Sequence, residues 1–155
     1  LGVFLGFESE RPEKVHKKGP DVLWRTDGTF DFVIEAKSKK QDNPLYKNDH
    51  AQLLEAEAWF KSVYPTRKSA RISALPEAIA DAQASTDGSF ALRLEDIDRL
   101  VGALRGVLIE LAGAAGDTIA LQERCEAALV RAHLKTDAIK SAFLIPFKVA
   151  TNPQN

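Results

Sequence analysis

Residues 19–37, GPDVLWRTDGTFDFVIEAK, decide how the rest of the chain is read. GPDVLWRT and TFDFVIEAKSK are strand-forming runs separated by turn residues, which predicts a β-hairpin. The second run is the clearest strand in the chain, because Phe30, Phe32, Val33 and Ile34 give it aromatic and β-branched density. Strand side chains alternate, so Phe32, Ile34 and Ala36 are expected on a core face, with Val33, Glu35 and Lys37 on the other. An alternating strand with one buried face is ordinary. A carboxylate and an ammonium at the end of so apolar a strand, followed by SKK, are not.

Hairpin geometry decides whether Asp21 can meet Glu35. A two-residue Asp27-Gly28 turn sets Asp21 opposite Ile34, on the wrong face. A three-residue loop, Thr26-Asp27-Gly28 with Gly28 left-handed, pairs Arg25 with Thr29. Asp21 then falls opposite Val33 and diagonal to Glu35, with Cβ atoms roughly 7–8 Å apart, close enough for both carboxylates to converge on one ion. Such a pair suits phosphodiester hydrolysis. Mg²⁺ takes hard oxygen ligands and needs only one or two carboxylates, and it activates both phosphoryl oxygen and water. A lysine alongside can orient or deprotonate that water.

Outward from the hairpin, residues 1–10 are expected as a short helix and 11–20 as a polar loop. A loop follows over 39–47, then a helix capped by Asn48 or Asp49 that runs until Pro65. ARISAL (70–75) and SFALRL (89–94) are expected strands, with a short helix PEAIADAQA between them. Ile97, Leu100, Val101, Leu104, Leu108 and Leu111 fall at helical spacing. Leu121, Cys125, Ala128, Leu129 and Ala132 make a second helical stripe after the AGAAGD break, and AFLIPFKVA reads as a terminal strand. The expected order, α-β-β-α-β-α-β-α-α, is a mixed α/β domain over 1–150 with a tail at 151–155.

A chain of 155 residues, 45% hydrophobic and 28% charged, can bury one core without disulfides. No run of roughly 18 apolar residues predicts a membrane span, and the first ten residues lack the marks of a secretory signal. The single cysteine, Cys125, cannot pair internally, which fits a reducing cytoplasm. The chain starts at Leu1 and has no methionine, so a domain cut from a longer protein is expected. A net charge of −1 hides an asymmetry: from Arg11 to Arg71 there are 13 Lys or Arg against 9 Asp or Glu, so the basic excess accompanies Asp21 and Glu35.

GPD (19–21), EAK (35–37) at the end of an apolar strand, and a following helix with Gln52 resemble the PD-(D/E)xK nuclease superfamily. The motifs span roughly residues 1–75; the remainder matches only by element order. More narrowly, GPDVLW, VIEAKSKK and AQLLEAEAWF look like nuclease domains attached to bacterial helicases. The resemblance implies a restriction-endonuclease-like core with two additional C-terminal helices. It also implies Mg²⁺ (or Mn²⁺) as cofactor, nucleic acid with DNA foremost as substrate, and a covalently linked helicase domain. Asp21 and Glu35 would be metal ligands with the Ala36 carbonyl, and Lys37 would act on the attacking water or the developing charge. Gln52 would stand near the metal or the DNA backbone, and Glu13, or else Glu8, would supply a first-helix glutamate. Cutting both strands of a duplex would favour a homodimer. The chain departs from the Gln-x-x-x-Tyr pattern of some relatives, since Ala56 follows Gln52 at that interval, which weakens any inference of exonuclease character.

Each feature has a plainer reading. Glu-x-Lys alone is usually a solvated edge; Gly-Pro-Asp and Gln52 together make the case. Trp24, Trp59 and Tyr64 read as core, and His16, His50 and His133 show no zinc pattern. The KVHKK and KSKK clusters are solvated faces or phosphate contacts. The rival functions are a non-catalytic binding module with a nuclease fold, and an interaction domain that docks a partner through its C-terminal helices.

Overall fold

The computed structural model describes residues 1–37, 44–113 and 118–150. A 3₁₀ turn, Gly2–Leu5, leads into β1 (Glu8–Glu10), α1 (Pro12–His16), β2 (Val22–Arg25) and β3 (Asp31–Ala36). Then come α2 (Lys47–Val63), β4 (Ser69–Leu75), β5 (Ile79–Ala80) and β6 (Ser89–Arg93). The chain continues with α3 (Leu94–Ala112), α4 (Thr118–Arg131), α5 (Thr136–Phe143), β7 (Ile145–Pro146) and β8 (Lys148–Val149). Six strands form one mixed sheet in the order β1-β2-β3-β4-β6-β7. The β1–β2–β3 run is antiparallel, β3, β4 and β6 are parallel, and β7 closes the edge antiparallel to β6. The expected mixed α/β architecture is therefore present. Among the described residues no helix is long and apolar enough to cross a membrane.

β3 departs from the expected one-sided burial, because both its faces are covered. Phe32 and Ile34 enter a large core with Trp24, Ile72, Leu92, Leu100 and Leu104. Val33, on the other face, is fully buried with Leu23 of β2 and with Leu53, Ala56 and Phe60 of α2. The connection from β3 to the parallel β4 needs a crossover, and α2 supplies it by packing on that face. Glu35 consequently lies under a helix, 8% exposed. α2 is capped by Tyr46 rather than by Asn48 or Asp49; Asp49 sits in the first turn, where its carboxylate accepts the Tyr46 N–H at 3.1 Å.

The remaining corrections are local signals overridden by long-range pairing. Only Gly2–Leu5 of the expected N-terminal helix is helical. Glu8 and Glu10 instead pair in an edge strand and both hold Arg25 of β2. Within the expected loop 11–20, Pro12 starts the short α1. Residues 76–84 form no helix: Ala78, Ala80 and Ala84 pack with Leu45, Leu75 and Ala91, and β5 pairs in parallel with β8. The expected terminal strand, AFLIPFKVA, is divided into the two short strands β7 and β8. The unexpected α5, whose Ile139 and Phe143 stand one turn apart in the core, precedes them, so among the described residues three helices follow β6 rather than two. In α3 the buried stripe is Leu100, Leu104 and Val107, and Val101 and Leu108 are exposed. In α4 only Ala128 of its expected stripe is fully buried. Residues 38–43 and the tail 151–155 lie outside the described residues.

Candidate active site

The hairpin loop is longer than expected and sets a different register. Five residues, Thr26–Phe30, separate the strands, and Leu23 pairs with Val33 rather than with Asp31. The cause is a set of side-chain bonds that a turn rule does not contain. Thr26 Oγ1 donates to the Phe30 carbonyl at 2.7 Å and accepts the Gly28 N–H at 3.0 Å, while the Thr26 N–H donates to Asp31 at 2.8 Å. Arg67 clamps the fully buried Asp31 through two nitrogens, which fixes this end of β3. Parity is unchanged, since the loop grew by two residues. The register continued one step beyond Val22–Ile34 sets Asp21 directly opposite Glu35, where Cβ atoms are typically about 4.5–5.5 Å apart.

Gly19 and Pro20 deliver Asp21 to this position. Gly19 has φ +89, a conformation that disfavours residues with a Cβ. The Pro20 carbonyl accepts the Glu13 N–H at 3.3 Å, which ties the turn to α1. Asp21 Oδ2 then accepts the Ala36 N–H at 2.8 Å, so the carboxylate is held at the end of β3. The Lys37 N–H donates to the Ala74 carbonyl at 2.7 Å, extending the β3–β4 ladder past Ala36.

Glu35 is the electrostatic centre of the group. Burial first, and the Asp21 charge second, push its carboxyl up from the ordinary 4.5 to about 7. Lys37 opposes the shift from 3.6 Å, and its Nζ also donates to Gln52 Oε1 on α2. Asp21, Glu35, Ala36, Lys37 and Gln52 line one cleft of about 650 Å³ at the C-terminal end of β3, the end where open α/β sheets bind ligands.

Glu13 of α1 also lines the cleft, whereas Glu8 lies on the far strand and pairs with Arg25. Lys17 and Lys18 of the KVHKK run form part of the rim. Sequence reading missed Glu55 and Trp59, which share the wall with Gln52. Their spacing of three and seven from Gln52 on one helix was a usable signal. Trp59 and Tyr64 are half-buried and pack against the core of Leu23, Val33, Leu53, Ala56 and Phe60, and Trp24 is buried as expected. Ser73, the register partner of Glu35 on β4, is fully buried, and its hydroxyl has no hydrogen-bond partner among the described residues.

Among the described residues no group of three or more His, Cys, Asp or Glu side chains is placed to hold a metal ion. The two facing carboxylates are thus the donor pair on which a cation site would rest. No protein-family model matches this chain, and no curated protein or solved structure matches it either.

Proposed function

We propose that this chain is a metal-dependent nuclease domain of the PD-(D/E)xK type, with a restriction-endonuclease-like core and DNA as its substrate. The observation that carries the reading is Glu35, buried opposite Asp21 with its carboxyl pushed up to about 7 and with Lys37 3.6 Å away. A carboxylate pair in a low-dielectric cleft is short of positive charge, and one lysine shared with Gln52 supplies only part of it. The donors are hard oxygens, and Mg²⁺ or Mn²⁺ requires only one or two carboxylates beside substrate and water, so the residues fit such an ion. Asp21 and Glu35 would hold it, with the Ala36 carbonyl as a further oxygen at the same strand end. When bound, the ion supplies Lewis-acid stabilisation of the phosphoryl group and a more acidic water.

The chain's own residues do the rest. Asp21, anchored on the Ala36 N–H, and Glu35, carried on β3 beside Lys37, would supply the carboxylate oxygens of the site. Lys37, held by Gln52 beside the carboxylate pair, would orient the reacting water or offset charge developing on the phosphate. Lys17 and Lys18 at the rim offer point charges to flanking phosphates. Mg²⁺ and Mn²⁺ titrations with plasmid and single-stranded DNA test the reading. Wild type is expected to cleave only with the divalent ion and Asp21→Asn to be inactive. Equal cleavage by both proteins rejects it.

A further inference from the structure

Trp59 stands seven residues after Gln52, two turns along α2, so both side chains leave the same helix face. Gln52 holds Lys37. Trp59 meets the turn that delivers Asp21: a Cβ on Gly19 would lie 2.7 Å from the Cδ2 and Cε3 atoms of the indole and 3.1 Å from Pro12 Cβ. The glycine is therefore required twice, for its φ of +89 and for the close approach of the ring. His16 of α1 stacks on the same indole, with centroids 6.1 Å apart and planes at 30°. The helix behind these contacts is firmly seated, since Leu53, Ala56 and Phe60 are buried against Leu23 and Val33. One rigid element thus braces both arms of the carboxylate–lysine group.

We propose that Trp59 is a positioning residue that clamps the Gly19-Pro20 turn and so fixes Asp21 opposite Glu35 to receive a divalent cation. The cation rests on the nuclease reading; the placement of Asp21 rests on the contacts alone. The rival role for a cleft tryptophan is a platform on which a nucleobase stacks. The two roles differ in what they move. A clamp governs the Asp21 carboxylate with or without nucleic acid, whereas a platform governs KM for nucleic acid and leaves the carboxylate alone.

Hydrogen exchange of the Ala36 amide reads the clamp directly, because Asp21 Oδ2 accepts that N–H. Trp59→Ala is expected to speed Ala36 exchange about tenfold or more, while amides within the β3–β4 ladder keep their protection. Trp59→Phe should retain most of the wild-type behaviour. Trp59→Leu, which keeps apolar bulk without the indole, should speed Ala36 exchange in the same way and serves if Trp59→Ala does not fold. Calorimetry with Mn²⁺ alone should show about 10–100-fold weaker binding by Trp59→Ala, the usual cost of losing support behind a ligand. Ala36 exchange unchanged in folded Trp59→Ala, or a change confined to KM for DNA, overturns the proposal. If wild type binds no Mn²⁺, the nuclease reading fails, and Ala36 exchange still decides whether Trp59 places Asp21.

Discussion

Replacing Glu35 with glutamine removes a charge but keeps the shape, and the structure fixes both the sign and the pH window of the effect. The Glu35 carboxyl is raised from 4.5 to about 7, chiefly by burial and then by Asp21. Between those values the folded protein retains a proton that the unfolded chain has released, so stability falls as pH rises from about 4.5 to about 7 and is level above that. At about 1.4 kcal/mol per pH unit, the cost of ionising Glu35 in the fold reaches about 3 kcal/mol at pH 8. Glutamine avoids that cost but forfeits the contact with Lys37, 3.6 Å away. Glu35→Gln is therefore expected to stabilise by about 1–3 kcal/mol at pH 8 and by close to zero at pH 4.5. Urea unfolding of both proteins at the two pH values measures this, with the unfolding midpoint as the readout and a common m-value as the check. A variant less stable than wild type at pH 8, or a difference that does not vary with pH, would refute the electrostatic account of the site.

The other end of β3 behaves oppositely. Arg67→Ala strips the buried Asp31 of its cation and should destabilise by about 3–5 kcal/mol while the folded fraction keeps its cleavage rate; a negligible change in melting temperature would contradict this. Mn²⁺ calorimetry should show binding by wild type and none by the Asp21→Asn/Glu35→Gln double variant, and equal binding by both would place the ion elsewhere. Saturating Mn²⁺ should also raise the wild-type melting temperature at pH 8 and leave that of the double variant unchanged.

What the chain discloses before it folds follows from how local each determinant is. The strands β3, β4 and β6 and the helices α2 and α3 carry their own periodicity, and each was legible within a residue or two. β1 was not, because Glu8-Ser9-Glu10 has no strand signal of its own and is ordered by Arg25 across the ladder. β5 depends on β8, nearly seventy residues away in sequence, and α5 depends on seating Ile139 and Phe143 in a core made by other elements. In the site, parity put Asp21 and Glu35 on one face correctly, since any odd-numbered loop does so. The two-residue shift in register came from the Thr26 hydroxyl, which turn rules do not weigh. Gln52, Lys37 and Glu13 line one cleft with Asp21 and Glu35. The burial of Glu35 was missed, because a helix covering both Val33 and Glu35 is a property of the crossover and not of the strand.

Lys37→Ala tests the central claim most directly, through Mg²⁺-dependent plasmid nicking measured beside the melting temperature. Lys37 sits at the strand end and contacts Glu35 and Gln52 rather than the core, so the variant should remain folded. Losing a positioned proton-transfer or charge-stabilising group should lower the nicking rate by about 10²-fold or more. A folded Lys37→Ala protein that nicks at the wild-type rate would contradict the account.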